Sequence, residues 1–133
     1  PAWLHVVGNG RLLPTYQEQY MDNSHVSYYG HVNEPLDILG KLDLLVVPSL
    51  ADSYPNNILE ALFLNVPVLG AKRGGIPEIL HYESLLFEPQ AENLYKKIKF
   101  ILNKDQLEFL HNLCAKRREK LKFDWVDSMQ KIL

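Results

Sequence analysis

The segment LDLLVVPSLADSYPNNILEAL, residues 42–62, decides the fold of this chain. It begins with an apolar run, Leu42–Val47, which predicts a strand buried on both faces of a parallel sheet. Pro48 ends that strand, and a helix is predicted to begin at Asn56, which can cap it while Pro55 directs the chain into the helix. A strand, a loop and a helix in this order place the helix N-terminus at the carboxyl edge of a sheet, where open α/β sheets bind ligands.

Two carboxylates flank the loop in this segment. Asp52 comes before the predicted helix, and Glu60 lies one turn inside it. Helix N-termini favour phosphate because their N–H groups and dipole attract negative charge, and carboxylates accept hydrogen bonds from sugar hydroxyls. The pair therefore suits a phosphate-bearing sugar. On spacing alone, the plainer interpretation of a turn residue and an ordinary helix acid is favoured.

The order of motifs on both sides of the loop favours the functional interpretation. After the acid pair Asp52-x7-Glu60 come a helix and a Val-Pro-Val strand over 61–68, and then Gly-Gly-Ile-Pro-Glu at 74–78. This ordered series resembles the donor-binding half of retaining GT-B glycosyltransferases, in the large family often called family four or glycosyl transferases group 1. The stretches 6–10 and 29–32 fit the upstream pattern of the same family, so the resemblance covers most of the chain.

The resemblance implies an α/β fold, namely a Rossmann-like open parallel sheet with helices on both faces. Apolar runs predict five strands, at residues 4–7, 26–29, 42–47, 66–70 and 85–87, with the family's first strand missing, and residues 16–21 are predicted to be helical. Residues 1–133 are accordingly expected to form a single donor-binding domain, the C-terminal half of a GT-B fold and a fragment of a two-domain enzyme. In the doubly wound order the missing strand is central, so the sheet either keeps a gap, closes it by direct pairing, or recruits a neighbouring chain.

The resemblance also assigns site roles to matching positions. Glu60 is expected to bind the ribose hydroxyls and Asp52 the hydroxyls of the donor sugar, and these two are the candidate catalytic residues. Asp52 is one methylene shorter than the usual Glu, so either the loop moves inward or the sugar contact changes. Asn65, where the family usually has Gly, is a second departure. The candidate donor-binding residues are Gly8, Gly10, His31, Val32, Tyr54, Asn56, Asn57, Ile58, Leu59 and Glu60.

Several loop residues also have plainer interpretations. Gly8-Asn9-Gly10 lacks the third glycine of a dinucleotide fingerprint, since Leu13 stands there, and a tight turn alone is favoured over donor contact. His31 either lines the nucleotide pocket or is a solvated loop histidine, and the second is the commoner case. Lys72 and Arg73 lie beside two glycines and can bind phosphate, but a solvated loop is favoured.

Composition excludes several classes of protein. The 133 residues are 47% hydrophobic and 23% charged with a net charge of −2, as in ordinary soluble globular domains, and give no argument for nucleic acid binding. No apolar run approaches the length of a transmembrane helix. The single Cys114 rules out an internal disulfide and suits a reducing cytoplasm. The histidines are scattered, so no metal site is expected. The resemblance implies no cofactor, only a nucleoside-diphosphate sugar donor of UDP or GDP type.

The C-terminal part is predicted to be helical and basic. Apolar residues recur at helical spacing over 92–102 and predict a core face that includes Ile101 and Leu102. Between residues 96 and 122 lie nine of the 14 Lys and Arg residues, against three acids. Such a cluster is most often a solvated helix face, but it can also meet anionic lipid or another domain. The predicted location is the cytoplasm, with a membrane surface as a further candidate partner of the full-length parent.

The leading functional hypothesis is the donor-binding half of a retaining glycosyltransferase that moves a sugar from a nucleoside-diphosphate sugar to an acceptor hydroxyl. Backbone amides around 56–59 would stabilise the departing diphosphate. The acceptor pocket would belong to the missing N-terminal GT-B domain, so the chain alone is predicted to bind donor weakly, if at all, and to transfer nothing. A non-catalytic nucleotide-sugar binding module is the alternative. A flavodoxin-like signalling domain would need an acidic cluster or cofactor loop, which Asp52 and Glu60 alone do not provide.

Overall fold

The computed structural model describes residues 2–132, with side chains described through residue 121. Contacts within the chain divide it into two compact units, Pro1–Ile38 and Leu39–Leu133. Both contain parallel strands flanked by helices, so the predicted α/β class is confirmed. Among the described residues, no helix combines the length and apolar character that crossing a bilayer requires.

The first unit contains a two-stranded parallel sheet with a helix between its strands. β1 (Leu4–Val7) pairs with β2 (Val26–Gly30), and α1 (Leu13–Gln19) connects them. Both strands lie where the sequence predicts them. α1 begins earlier than the predicted residue 16 because Pro14 occupies its first turn, where the missing proline N–H has no helical partner to lose.

The second unit contains three parallel strands with helices between and after them. Within the described residues, its elements are β3 (Leu45–Val47), α3 (Asn56–Phe63), β4 (Val68–Ala71), α4 (Ile76–Leu80), a 3-10 turn at Glu83–Leu85, β5 (Leu86–Phe87), α5 (Ala91–Ile101) and α6 (Lys104–Ile132), and the short α2 (Pro35–Leu39) precedes them. The strand order is β3-β4-β5. All four residues of the central β4 are buried, because a strand lies on each side of it and helices α3, α4 and α6 pack against it.

The five predicted strands therefore form two sheets. In the part of the chain that the structure describes, no ladder of hydrogen bonds joins β1 or β2 to β3, β4 or β5. A ladder of hydrogen bonds forms only between strands that lie side by side. Within the described residues, 2–132, the partner of β1 is β2, and the partner of β3 is β4. Direct pairing of the five strands into one sheet, one of the three alternatives, is not the arrangement that this chain adopts.

Some element ends differ from the prediction for local reasons. β3 begins later than predicted, at Leu45, whose N–H donates to the Pro67 carbonyl oxygen over 2.9 Å. β4 begins at Val68, directly after Pro67, because proline has no N–H for a ladder. α5 ends at Ile101, so Ile101 is buried but Leu102 is 63% exposed instead of lying in the core.

The central strand and α4 are packed without space between them. A Cβ added at Gly70 of β4 would lie 2.8 Å from Leu80 Cδ1, and closer still to Ile76 Cγ2. Both side chains are fully buried in the core of the second unit. Gly70 is thus required by the approach of α4 to the sheet, and this packing fixes where the loop before α4 lies.

The turn after α3 explains why Asn65 replaces the usual glycine. Asn65 has a φ of +61°, the left-handed region that glycine favours and asparagine tolerates. Its N–H donates to the Leu62 carbonyl over 3.3 Å, and the Val66 N–H donates to the Ala61 carbonyl over 2.8 Å. These two bonds form a Schellman motif, which ends a helix by satisfying its last carbonyls. The Asn65 side chain also accepts a hydrogen bond from the Arg118 guanidinium.

Candidate functional site

Two loops meet beyond the carboxyl ends of β3 and β4. The first, residues 48–55, contains Asp52, and the second contains Gly74 and Gly75. The Gly75 N–H donates to the Asp52 carbonyl oxygen over 3.0 Å. A Cβ added at Gly74 would overlap the carbonyl oxygen of Asp52, and one added at Gly75 would overlap that of Ser53. The two glycines therefore allow an approach of backbone to backbone that any larger residue would prevent.

The Asp52 side chain shapes the acidic loop. It is half-buried, and its Oδ1 accepts a hydrogen bond from the Tyr54 N–H over 3.0 Å. This bond between a carboxylate and the backbone two residues further on is an Asx turn, which holds the loop in a tight conformation. A carboxylate has about four lone-pair sites. The Asp52 carboxylate therefore keeps capacity for a ligand hydroxyl while it holds the loop.

The helix after this loop begins differently from the prediction. Pro55, with φ −67° and ψ 114°, is the N-cap, and Asn56 is already the first helical residue, so the predicted capping by the Asn56 side chain is wrong. A cap residue must have extended backbone, which Pro55 supplies, and no side chain caps this helix. The N–H groups of Asn56 and Asn57 have no partner within the helix by its geometry, whereas the Ile58 N–H donates to the Pro55 carbonyl over 3.2 Å.

Burial of one side of α3 holds the helix on the sheet and turns Glu60 outward. Ile58, Ala61 and Leu62 are buried, and Glu60 is exposed. Leu59 is half-buried, so it and the fully buried Ile58 can meet a ligand mainly through their backbone. The exposed Glu60 carboxylate lies one turn beyond the free N–H groups at the helix start, where it can reach a ligand that those groups hold.

The two cations before the Gly-Gly pair are occupied by carboxylates. Lys72 Nζ lies 2.6 Å from Glu83 Oε1 and 3.9 Å from a Glu88 carboxylate oxygen, and Arg73 Nη1 lies 3.5 Å from Glu88 Oε2. The hydrogen bond to Glu83 raises the pKa of Lys72. These ion pairs agree with the favoured interpretation that Lys72 and Arg73 are not phosphate ligands. The sequence did not indicate the ion pairs themselves.

Four candidate residues lie in the first unit. Gly8 has a φ of +121°, and its N–H donates to the Gly30 carbonyl over 2.7 Å, so glycine is required there by a tight turn. The Gly10 carbonyl accepts from the N–H of the first residue of α1 over 2.9 Å. His31 is exposed and Val32 is half-buried. The favoured interpretation of Gly8-Asn9-Gly10 as a turn agrees with this geometry, and donor contact by these four residues stays a prediction.

In the second unit the structure brings the acidic loop, the start of α3 and the Gly-Gly loop to one edge of a parallel sheet. The contact of Gly74 and Gly75 with the backbone of Asp52 and Ser53 was not predicted. A pair of glycines separated by two residues from a buried strand was the only sequence signal for it. Tyr54, another candidate, is 51% exposed on the same loop.

Parallel strands, crossover helices and loops of this kind at the carboxyl edge are those of the GT-B class of glycosyltransferase folds. Anabaena Alr3699/HepE in complex with UDP superposes with a TM-score of 0.78 and 17% identity, over 99% of this chain and 41% of that chain. The same protein has also been solved with UDP-glucose. The model of the family described as glycosyl transferases group 1 matches residues 1–104. The chain belongs to this family of glycosyltransferases.

Two curated relatives share part of the sequence. Sulfoquinovosyl transferase SQD2 of Arabidopsis thaliana is 30% identical over 96 residues, which is 68% of this chain and 19% of the relative. The O-antigen biosynthesis glycosyltransferase WbnH of Escherichia coli is 27% identical over 100 residues, 75% of this chain and 29% of the relative. The chain thus spans less than a third of the length of these relatives.

Proposed function

We propose that this chain is the donor-binding part of a retaining glycosyltransferase, which transfers a hexosyl group from a nucleoside-diphosphate sugar to an acceptor hydroxyl. The observation that carries the proposal is the contact between the Gly-Gly loop and the acidic loop, where the Gly75 N–H bonds the Asp52 carbonyl over 3.0 Å. This contact holds Asp52 beside the start of α3. A diphosphate and a sugar need this combination of N–H donors and carboxylate acceptors.

The chemistry follows from the charges that develop during transfer. As the bond between the anomeric carbon and the diphosphate oxygen breaks, the carbon becomes positive and the leaving group takes the electron pair. The free N–H groups of Asn56 and Asn57 and the dipole of α3 stabilise that negative charge with donors that are already in place. The Ile58 N–H can donate to the diphosphate only if its hydrogen bond to the Pro55 carbonyl breaks. Helix propensity and the buried side of α3 keep these donors in position.

The two carboxylates take separate roles in the proposal. Glu60, exposed on α3, accepts hydrogen bonds from the ribose hydroxyls of the nucleotide. Asp52 accepts hydrogen bonds from hydroxyls of the donor sugar with the acceptor capacity that its bond to Tyr54 leaves. Because aspartate is one methylene shorter than the glutamate usual in the family, the sugar must come closer to the loop. The contact of the Gly-Gly loop with the backbone of the acidic loop restricts movement of Asp52 away from the sugar.

The remaining parts of the proposal concern the whole enzyme. The donor is a UDP or GDP sugar, in line with the UDP and UDP-glucose complexes of the structural neighbour, and no cofactor is required. An N-terminal GT-B domain supplies the acceptor pocket, and the enzyme works in the cytoplasm. Residues 1–133 act as one donor domain, and the chain by itself transfers no sugar.

Calorimetric titration with UDP, GDP and UDP-glucose tests the proposal. We expect Glu60→Gln to weaken binding of one nucleotide by about five- to 150-fold, the effect of losing a charged hydrogen-bond partner worth about 1–3 kcal/mol. Glu108→Gln, an equal change at an exposed acid on α6, is the matched control and should bind as the wild type does. If the chain binds too weakly to measure, the same variants are compared in the full-length parent. Equal effects of the two substitutions, or sugar transfer by the 133-residue chain, would contradict the assignment.

A further inference from the structure

α5 presents two different faces. Its inward face packs on the core of the second unit through Leu94, Ile98 and the fully buried Ile101. Its outward face, defined here as Tyr95, Lys96, Lys99 and Phe100, is exposed. Tyr95 is 63% and Phe100 58% exposed, and Leu102 just beyond the helix end is 63% exposed. Large apolar side chains that are exposed together among lysines on one helix face make this face a candidate docking surface.

Charge is unevenly distributed along the chain, and the basic part contains α5. Residues 1–90 hold four Lys and Arg against ten acids, whereas residues 91–121 hold eight against four. The chain is nearly neutral as a whole, so the excess of Lys and Arg is confined to its helical C-terminal part. A basic surface attracts an anionic partner by long-range electrostatics.

Much of the basic segment is nevertheless used within the fold. Arg117 Nε donates to the Ile79 carbonyl over 2.5 Å, and Arg117 Nη2 donates to the Glu78 carbonyl over 2.9 Å. These bonds satisfy carbonyls at the end of α4, the usual place for a basic side chain. Arg118 bonds Asn65, and Lys120 lies over the Tyr82 ring. The segment 96–122 is therefore not one binding surface.

The outward face of α5 has the features of a helix that lies on a lipid surface. At 3.6 residues per turn its four residues fall within an arc of about 140°, which also contains the exposed Glu92. Lys99 Nζ lies 5.9 Å from the centre of the Tyr95 ring, and Lys96 Nζ lies 2.6 Å from Glu92 Oε1 in an exposed pair of little energetic weight. Long lysine stems can raise their ammonium groups to the phosphates while the aromatic rings enter the boundary with the acyl chains.

We propose that the outward face of α5 binds the surface of an anionic phospholipid bilayer. The charge of the lysines complements anionic headgroups. Transfer of the exposed Tyr95, Phe100 and Leu102 side chains from water into the bilayer interface lowers the free energy of the bound state. One convex helix face suits a flat bilayer better than a nucleic acid strand, which is usually held in a basic groove lined by aromatic rings. The proposal is independent of the donor site, because it uses none of the residues assigned there.

Co-sedimentation of the 133-residue chain with vesicles tests this proposal. The vesicles contain either phosphatidylcholine alone or phosphatidylcholine with about a third phosphatidylglycerol. We expect binding to the anionic vesicles only. Binding should fall steeply between 0.1 and 0.5 M salt, since the screening length shortens from about 10 Å to about 4 Å. Lys96→Gln with Lys99→Gln should weaken it about 30-fold, the contribution of two lysines at an anionic surface.

Matched controls separate this face from net charge and general hydrophobicity. Lys41→Gln with Lys116→Gln removes the same charge at exposed lysines elsewhere and should change binding by no more than about twofold. Phe100→Ser should weaken binding about tenfold, whereas Phe63→Ser, at an equally exposed phenylalanine of α3, should leave it unchanged. Circular dichroism of each variant verifies that it is folded, and all six substitutions are at exposed side chains.

Several outcomes would overturn the proposal. Failure of the folded wild type to sediment with the anionic vesicles, or equal binding to both vesicle types, removes the anionic lipid surface as the partner. Equal loss in the two lysine pairs would show a response to net charge alone. Binding of a single-stranded oligonucleotide, lost with Lys96→Gln and Lys99→Gln in the absence of vesicle binding, would assign the face to nucleic acid instead.

Discussion

Replacing Gly75 by alanine should separate the two loops of the candidate site. The added Cβ would overlap the Ser53 carbonyl oxygen, so one loop must move. That movement costs about 1–3 kcal/mol as overpacking, and it breaks the bond between the Gly75 N–H and the Asp52 carbonyl, worth about 0.5–1.5 kcal/mol. Alanine also restricts the unfolded chain more than glycine does, which adds about 0.4–1 kcal/mol to the free energy of unfolding. The expected loss in the free energy of unfolding is about 2–3 kcal/mol.

Urea unfolding followed by circular dichroism measures this loss. With a slope of about 1–3 kcal/mol per molar urea, the midpoint should fall by about 1–2 M. Gly10→Ala is the control, because no atom lies within 4 Å of a Cβ built there. Calorimetry on Gly75→Ala should also show weaker nucleotide binding. A change in stability below about 0.5 kcal/mol would refute the close approach of the two loops, and with it the support for the position of Asp52.

Two further predictions concern single residues of the second unit. In urea unfolding, the stability of Asn65→Gly should stay within about 1 kcal/mol of the wild type, because glycine relieves the left-handed backbone but loses the bond to Arg118. Asn65→Val should lose about 2–3 kcal/mol, because a β-branched residue is strained in that backbone conformation. Equal stability of the two variants would contradict the role of the Schellman motif. Burial lowers the pKa of Lys97 from its usual 10.5, and the nearby Glu83 opposes this. The unfolded chain then binds that proton more tightly, so ionised Lys97 destabilises the fold at neutral pH and the penalty disappears as the pH rises towards the unfolded value. Lys97→Met should therefore raise stability at pH 7, by about a few tenths of a kcal/mol at most because Lys97 is only half-buried and solvent screens its charge, and a loss of stability instead would show that attraction to Glu83 outweighs burial.

Local patterns predicted most of the elements. Apolar runs bounded by glycine or proline marked β1, β2 and β3, and helical spacing marked α5, because these signals depend only on neighbouring residues. Element ends were less predictable. Asn56 was expected to cap α3, yet Pro55 takes that position, since both residues are compatible with a helix start and only the observed backbone distinguishes them.

Contacts between residues far apart in the chain could not be predicted. Arg117 was counted as part of a basic cluster, but its guanidinium holds carbonyls at the end of α4, 38 residues away from Ile79. Lys72 and Arg73 were considered as loop cations, and the structure pairs them with Glu83 and Glu88. No sequence spacing encodes such pairs, because they arise only when packing brings separate elements together.

By itself the sequence determined the α/β class, the positions of the strands and the order of motifs through which the family resemblance was found. It also indicated the candidate site, since Asp52, Asn56 and Glu60 are close along the chain, and their roles stay a prediction. Only the tertiary structure decided that the strands form two sheets and that the Gly-Gly loop meets the acidic loop backbone to backbone. The physical reason is that packing without voids, such as that of α4 on Gly70, sets where distant loops meet, and packing is a property of the whole core.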